Sequence, residues 1–324
     1  MSAIVPYLLP LGIVIIANWG VRLRPWRILT HLCLSLLILC TLLMGLLFIA
    51  TPAIFRVTGQ PIPPELQALN PLGLGWVFAI TALLGWLCLI TPLRKLLARV
   101  LPLDPASPVH SVALIFFVYL AATSLGPLLT SQSFIFSLVD STRLSAGLLV
   151  SEQALFVAFA LAGVGLFLRR SPKETADRLG LRVPKPRHLA IALAAVIALL
   201  AFDYGVSLVW RQFWPASYEL VSQSSGQLFG RFSTVLGALL LGLSAGIGEE
   251  MLFRGALQPR FRIPLTAALF AVSHLQYGIS PAMVEILIVG MVLGWIRERC
   301  NTTTCMVVHA AYNTLNVLLM PLLP

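Results

Sequence analysis

The sequence predicts an all-α polytopic transmembrane helical bundle, with about 8–10 spans of the length that crosses a bilayer. Three observations carry this reading. Hydrophobic residue types fill 58% of the 324 positions and charged ones only 10%, where a soluble domain carries about 25% charged residues. The apolar residues fall in runs of about 20, long enough to cross the hydrocarbon core. The basic residues gather in alternate connections between those runs, as the positive-inside rule requires of cytoplasmic loops.

In chain order the apolar runs cover 3–18, 29–52, 74–92, 109–129, 145–168, 188–209, 234–254, 263–277, 281–296 and 303–320. The first has no basic stretch before it and no small-residue cleavage pattern after it, so it reads as a retained helix and not as a signal peptide. Arg22, Arg24 and Arg27 follow the first run; Arg94, Lys95 and Arg99 the third; Arg169, Arg170, Lys173, Arg178, Arg182, Lys185 and Arg187 the fifth. Arg254, Arg260 and Arg262 follow the seventh, and Arg297 and Arg299 the ninth. Only Arg56, Arg143, Arg211 and Arg231 lie on the other side. The asymmetry places both termini outside the cytoplasm and favours ten spans. A compact, arginine-rich polytopic chain of this kind reads as a bacterial inner-membrane protein.

The longest polar stretch, 169–187, contains Pro184 and Pro186, which limit helix there. It divides the chain into an N-terminal transmembrane region (1–168), a basic cytoplasmic linker (169–187) and a C-terminal domain (188–324). The formal charge of +10 is spread over loops facing lipid head groups, so the expected partner is the lipid bilayer, with no nucleic acid. Cys33, Cys40, Cys88, Cys300 and Cys305 show no metal-ribbon spacing and read as small buried hydrophobes. Trp210, Phe213, Trp214 and Tyr218 read as an interfacial anchor.

The C-terminal domain holds the residues suited to chemistry. Glu249 and Glu250 are adjacent carboxylates at the end of an apolar run, costly unless paired or functional. Glu250 and Arg254 lie four apart, on one helical face, and can pair. Glu249 then points elsewhere, where it is free to take a proton from water. His274 could shuttle a proton near neutrality. Its neighbour Ser273 does not aim at it if both are helical, which argues against a serine nucleophile. His309 and Asn313, four apart in the last run, could donate two hydrogen bonds to an oxyanion. Glu249, His274 and His309 could alternatively hold zinc, although the HExxH pattern is absent. Glu285 could pair with an arginine or line a cavity, and local helix hydrogen bonding explains Asp203. From the residues alone, hydrolysis, transport and a non-catalytic scaffold all remain open. The lack of an inverted repeat argues mildly against transport.

These residues carry a resemblance. Glu249-Glu250-x-x-x-Arg254, Phe270-x-x-x-His274 and His309-x-x-x-Asn313 together resemble the three-motif signature of the CPBP family, which includes type II CAAX prenyl endopeptidases and bacteriocin-processing or immunity proteins. Phe253 and Gly255 keep the aromatic and the glycine common around the first motif's arginine. The resemblance spans roughly 190–318 and leaves the first five runs unaccounted for. It implies a C-terminal protease bundle acting as a glutamate-type intramembrane endopeptidase on membrane peptides or proteins. Glu249 would activate water, His274 would help hold it, His309 and Asn313 would form the oxyanion hole, and Glu250 and Arg254 would brace the site. No cofactor is implied by that mechanism, zinc being the alternative. Family members acting as scaffolds or immunity factors supply the other alternative.

Overall fold

A computed structural model of the chain describes residues 5–129, 145–275 and 278–319. Arg143, and the last two residues of the run 263–277, lie outside the described residues. Among the described residues the backbone is helical, apart from turns and one isolated bridge between Leu166 and Arg170. The helices are α1 (Val5–Gly20), α2 (Arg24–Thr58), α3 (Pro64–Ala68), α4 (Pro71–Leu89), α5 (Thr91–Leu97), α6 (Pro108–Leu125) and α7 (Ala146–Val164). They continue with α8 (Pro172–Leu179), α9 (Pro186–Phe213), α10 (Pro215–Phe229), α11 (Val235–Glu250), α12 (Gln258–Val272), α13 (Pro281–Arg299) and α14 (Thr302–Leu319). A π-helical segment, Met251–Leu257, joins α11 to α12.

Each of the ten apolar runs is centred on helix. Among the described residues six helical stretches are long and apolar enough to cross a membrane: α2, α4, α6, α7, α9 and the continuous run from α11 through α12. The chain is an integral, multi-pass membrane protein. Runs seven and eight share that continuous stretch, which breaks at Arg262, where φ is 61° and ψ 173°. Proline opens α4, α6, α8, α9, α10 and α13, because the first turn of a helix has no use for the missing N–H. Pro186 therefore begins α9.

The residues group into two compact units. One comprises Ile13–Ser141 and Val272–Gly278, the other Met1–Gly12, Thr142–Ala271 and Ile279–Pro324. In the first, α2 and α4 cross closely: a Cβ on Gly45 would lie 2.8 Å from Ala79 N and 2.9 Å from Gly75 O. Small residues let membrane helices gain backbone-level contact that lipid cannot supply. Thr41 and Tyr119 share a 2.7 Å hydrogen bond between α2 and α6. Arg94, 7% exposed, donates to Ser111 and Thr91.

The second unit contains α7 to α14, so α7 groups with the C-terminal helices. Gly242 and Gly246 of α11 face Ala310 and Thr314 of α14, and a Cβ on Gly246 would sit 2.9 Å from both Ala310 N and Met306 O. Gly248 meets α7 in the same manner, 2.8 Å from the Gln153 carbonyl. A separate core joins α9, α13 and α14 through Leu199, Leu293, Ile296, Val308 and their neighbours. The polar stretch 169–187 is folded: Ser171 caps α8 in a reciprocal capping box with Glu174. The Thr302 hydroxyl donates to the Leu179 carbonyl at 2.5 Å, which docks the end of α8 at the start of α14. Asn301 is buried, its Oδ1 accepting from the Thr304 N–H at 2.8 Å.

Gly246→Val should destabilise the protein by about 1–3 kcal/mol, the usual cost of overpacking, read as a lower unfolding midpoint in detergent. Gly163→Val, with open space around its Cβ position, should leave that midpoint nearly unchanged.

Candidate active site

The last turn of α11 ends in Gly248-Glu249-Glu250, and the helix widens at once into the π segment. Such wide turns displace carbonyls from their usual partners and occur often at functional sites. Here Arg178 of α8 donates to the carbonyls of Gly255 at 2.9 Å and Ala256 at 3.3 Å. Gly255 packs on Leu179, where any Cβ would be tight at 3.0 Å. Burial and the nearby Arg260, Arg170, Arg297 and Arg169 push the Arg178 pKa down to about 10, which leaves it cationic at neutral pH. The stretch read as a linker thus holds the backbone that follows the two glutamates.

Glu250 and Arg254 are 0% and 1% exposed. Arg254 Nε stands 3.2 Å from Glu250 Oε2, and the guanidinium lies 4.9 Å from the centre of the Phe270 ring. His309 Nδ1 hydrogen-bonds Glu250 Oε1 at 2.9 Å. Phe270 also meets His309 edge to face at 5.9 Å and Phe253 at 5.1 Å. The aromatic of the second motif therefore closes the apolar wall of the charge cluster.

With Nδ1 engaged by Glu250, the free edge of the His309 ring faces Glu249. Nε2 is 4.0 Å from Glu249 Oε2, too long for a direct hydrogen bond and the right spacing for one small polar group bound to both. Glu249 is 8% exposed and receives a second contact from Gln153 Nε2 at 3.4 Å. Two carboxylates and one guanidinium leave a net negative charge. The cluster is neutral when a single proton resides on either His309 or Glu249.

The unit thus gathers Glu249, Glu250, Arg254 and His309. Asn313 is half-buried, one helical turn beyond His309 on α14. His274 belongs to the 272–278 segment grouped with the other unit. It lies in a turn, not late in a helix, because α12 ends at Val272. Consequently Ser273 Oγ and His274 Nδ1 approach to 3.3 Å, and the expectation that they point apart fails with the helix it assumed. Sequence reasoning missed Gln153. Its only signal is a polar pair, Glu152-Gln153, inside an apolar run, and its partner lies far away in the sequence. Among the described residues no group of three or more His, Cys, Asp or Glu side chains is spaced to hold a metal ion.

Residues 231–315 match the family described as type II CAAX prenyl endopeptidase Rce1-like. The match contains every position of the three motifs, Glu249 to Asn313. This stretch is therefore similar to that protease family. It covers about a quarter of the chain, and α7, α8 and α9 lie outside it. No curated protein and no solved structure matches the chain. The matched stretch therefore includes the charge cluster, while two of the groups that hold the cluster, Gln153 and Arg178, come from before it.

Removing one partner of a buried ion pair strands the other. Glu250→Gln should cost about 3–5 kcal/mol in detergent unfolding. Glu250→Leu combined with Arg254→Met should cost less than the sum of the two single changes, because the double variant leaves no unpaired charge.

Proposed function

We propose that the chain is an intramembrane endopeptidase that cleaves membrane-associated peptides or proteins, with Glu249 as the general base. The observation that carries this reading is the facing of Glu249 Oε2 and His309 Nε2 across 4.0 Å, inside a region that matches a membrane-protease family.

Water held between these two atoms would give a proton to Glu249 as its oxygen attacks the scissile carbonyl. His309, kept in orientation by Glu250 at Nδ1, would donate its Nε2–H to the developing oxyanion, and the Asn313 amide would donate a second hydrogen bond. Glu249 then returns its proton to the leaving amine as the C–N bond breaks. The products are a carboxylic acid and an amine. Arg254 keeps Glu250 ionised and so fixes the His309 ring. The motif assigns His274 to the same water, a role that His274→Gln tests by its loss of rate. The alternation of basic loops supports a bacterial inner-membrane setting with both termini outside the cytoplasm. A prenylated substrate is not required by any of these residues.

Purified protein in detergent, incubated with a library of membrane-associated peptides and read by mass spectrometry, should cleave with and without a chelator. Glu249→Gln should abolish turnover while remaining folded. Asn313→Ala should lower kcat by about 10²–10³, the usual effect of losing one oxyanion donor. Cleavage lost with chelator and restored by zinc would replace this mechanism with a metal-dependent one. Activity retained in Glu249→Gln would end the assignment of the base.

A further inference from the structure

The carboxylate assigned as the base is approached from two sides. Helix α11 runs between α14 and α7: Gly242 and Gly246 face α14, and Gly248 faces α7. Successive residues of an α-helix turn by about 100°, so Gly248 points nearly opposite to Gly246, and Glu249 falls on the shorter arc between them. Its carboxylate can therefore be reached from both neighbours. Gln153 of α7 donates from Nε2 to Glu249 Oε1 at 3.4 Å. His309 of α14 presents Nε2 to Glu249 Oε2 at 4.0 Å.

The Gln153 side chain is fixed in place. It is only 7% exposed, on a largely apolar helix. Its amide has one workable orientation, because turning it over would set Gln153 Oε1 against an ionised Glu249, acceptor against acceptor. In the orientation observed, Oε1 occupies the space that a Cβ on Gly248 would need, and the same Cβ would stand 2.8 Å from Gln153 Cβ. Glycine at 248 is what lets the amide come so close. Oε1 has no hydrogen-bond donor among the described residues. Leaving a buried amide oxygen without a donor is costly, so packing alone would favour an apolar residue at this position. What the glutamine supplies that an apolar residue cannot is the bond from its nitrogen to Glu249.

That bond bears on the gap in front of His309. A carboxylate and an imidazole N–H attract, and unopposed they close to a direct hydrogen bond of about 2.8 Å. Nothing fits between them at that distance, and the water of the proposed reaction loses its place. The carboxylate hangs on rotatable side-chain torsions, so the shift of about 1 Å that closure needs is within its reach. The pull from Gln153 on Oε1 acts toward α7, away from the histidine.

We propose that Gln153 is a positioning residue that holds Glu249 back from His309 and so keeps open the slot for the attacking water. This rests on the endopeptidase reading above for the use of the slot, and on the two contacts of Glu249 for its existence. Gln153 acts through Glu249 and touches no reacting atom. It precedes the stretch that matches the protease family, so α7 gives the site a working group as well as a packing surface.

Methionine has the length of glutamine without the amide, so Gln153→Met removes the donor and keeps the volume. Gln153→Leu is the second apolar variant, for the case in which methionine is not accommodated. With the library peptide that the wild type cuts fastest as the probe, either folded variant should lower kcat by about 10–100-fold, the scale of a misplaced reacting group, and leave KM little changed. An unchanged kcat overturns the proposal. A raised KM at constant kcat also overturns it, and would make Gln153 a substrate contact. A second measurement needs no turnover. The ¹⁵N resonance of His309 Nε2, identified in histidine-labelled protein by its loss in His309→Gln, should shift on Gln153→Met as the ring exchanges water for carboxylate. It should stay in place when Gln153→Met is made in a Glu249→Met background. No shift in the first case, or the same shift in both, overturns the retaining contact. The expected resonances in a protein that cuts nothing would keep the contact and remove the protease reading. Cleavage that Gln153→Met leaves intact would do the reverse.

Discussion

Glu250 and Arg254 are sealed from solvent, and charge that has left water must be neutralised where it stands. Much of the C-terminal unit follows from that constraint. A four-residue separation lets the two meet on one helix face, and His309 from α14 takes the second oxygen of Glu250. Phe270 covers the guanidinium and the imidazole together, so the aromatic and the histidine of different motifs become parts of one wall. Once Glu250 is consumed in this way, Glu249 is the carboxylate left to face the Nε2 edge of the ring. The two adjacent glutamates thus acquire different work from their environments, not from their chemistry.

Such a cluster demands close helices, and the sequence supplies them with small residues. Gly242, Gly246 and Gly248 bring α14 and α7 to backbone contact on two sides of α11, which lets short polar groups reach one another across the bundle. The π segment is the other device. It reorients the chain directly after the glutamates, and the displaced carbonyls are taken up by Arg178 of α8. A polar connection between helices thereby becomes structural support for the site. The region matched to the protease family is in this sense incomplete alone, since α7 and α8 precede it and hold it.

Helix α14 carries polar groups at two successive levels. At one, His309 completes the charge cluster; at the next, Tyr312 reaches Glu285 and through it Asp203. The remainder of the helix is packed against α9 and α13 by apolar residues. One helix therefore carries both His309 and Tyr312, one turn apart.

Composition and run length alone determined the fold class, because no other environment accommodates a chain with 58% hydrophobic and 10% charged residues. The charge cluster was also legible at Glu250 and Arg254, since helical periodicity converts a spacing of four into a contact. The motif order pointed to His309 and Asn313 as well. Tertiary structure decided what periodicity cannot reach. Gln153 and Glu249 are 96 residues apart in sequence, and Arg178 reaches Gly255 across 77, so no local pattern announces either contact. The early end of α12 brought Ser273 to His274, which a helical reading had kept apart. Asp203, read as bonded within its own helix, and Glu285, read as a partner for arginine or a cavity-lining group, interact because α9 and α13 pack together with α14. Local spacing encodes which residues share a helix face; only the packing of one helix on another settles which faces meet.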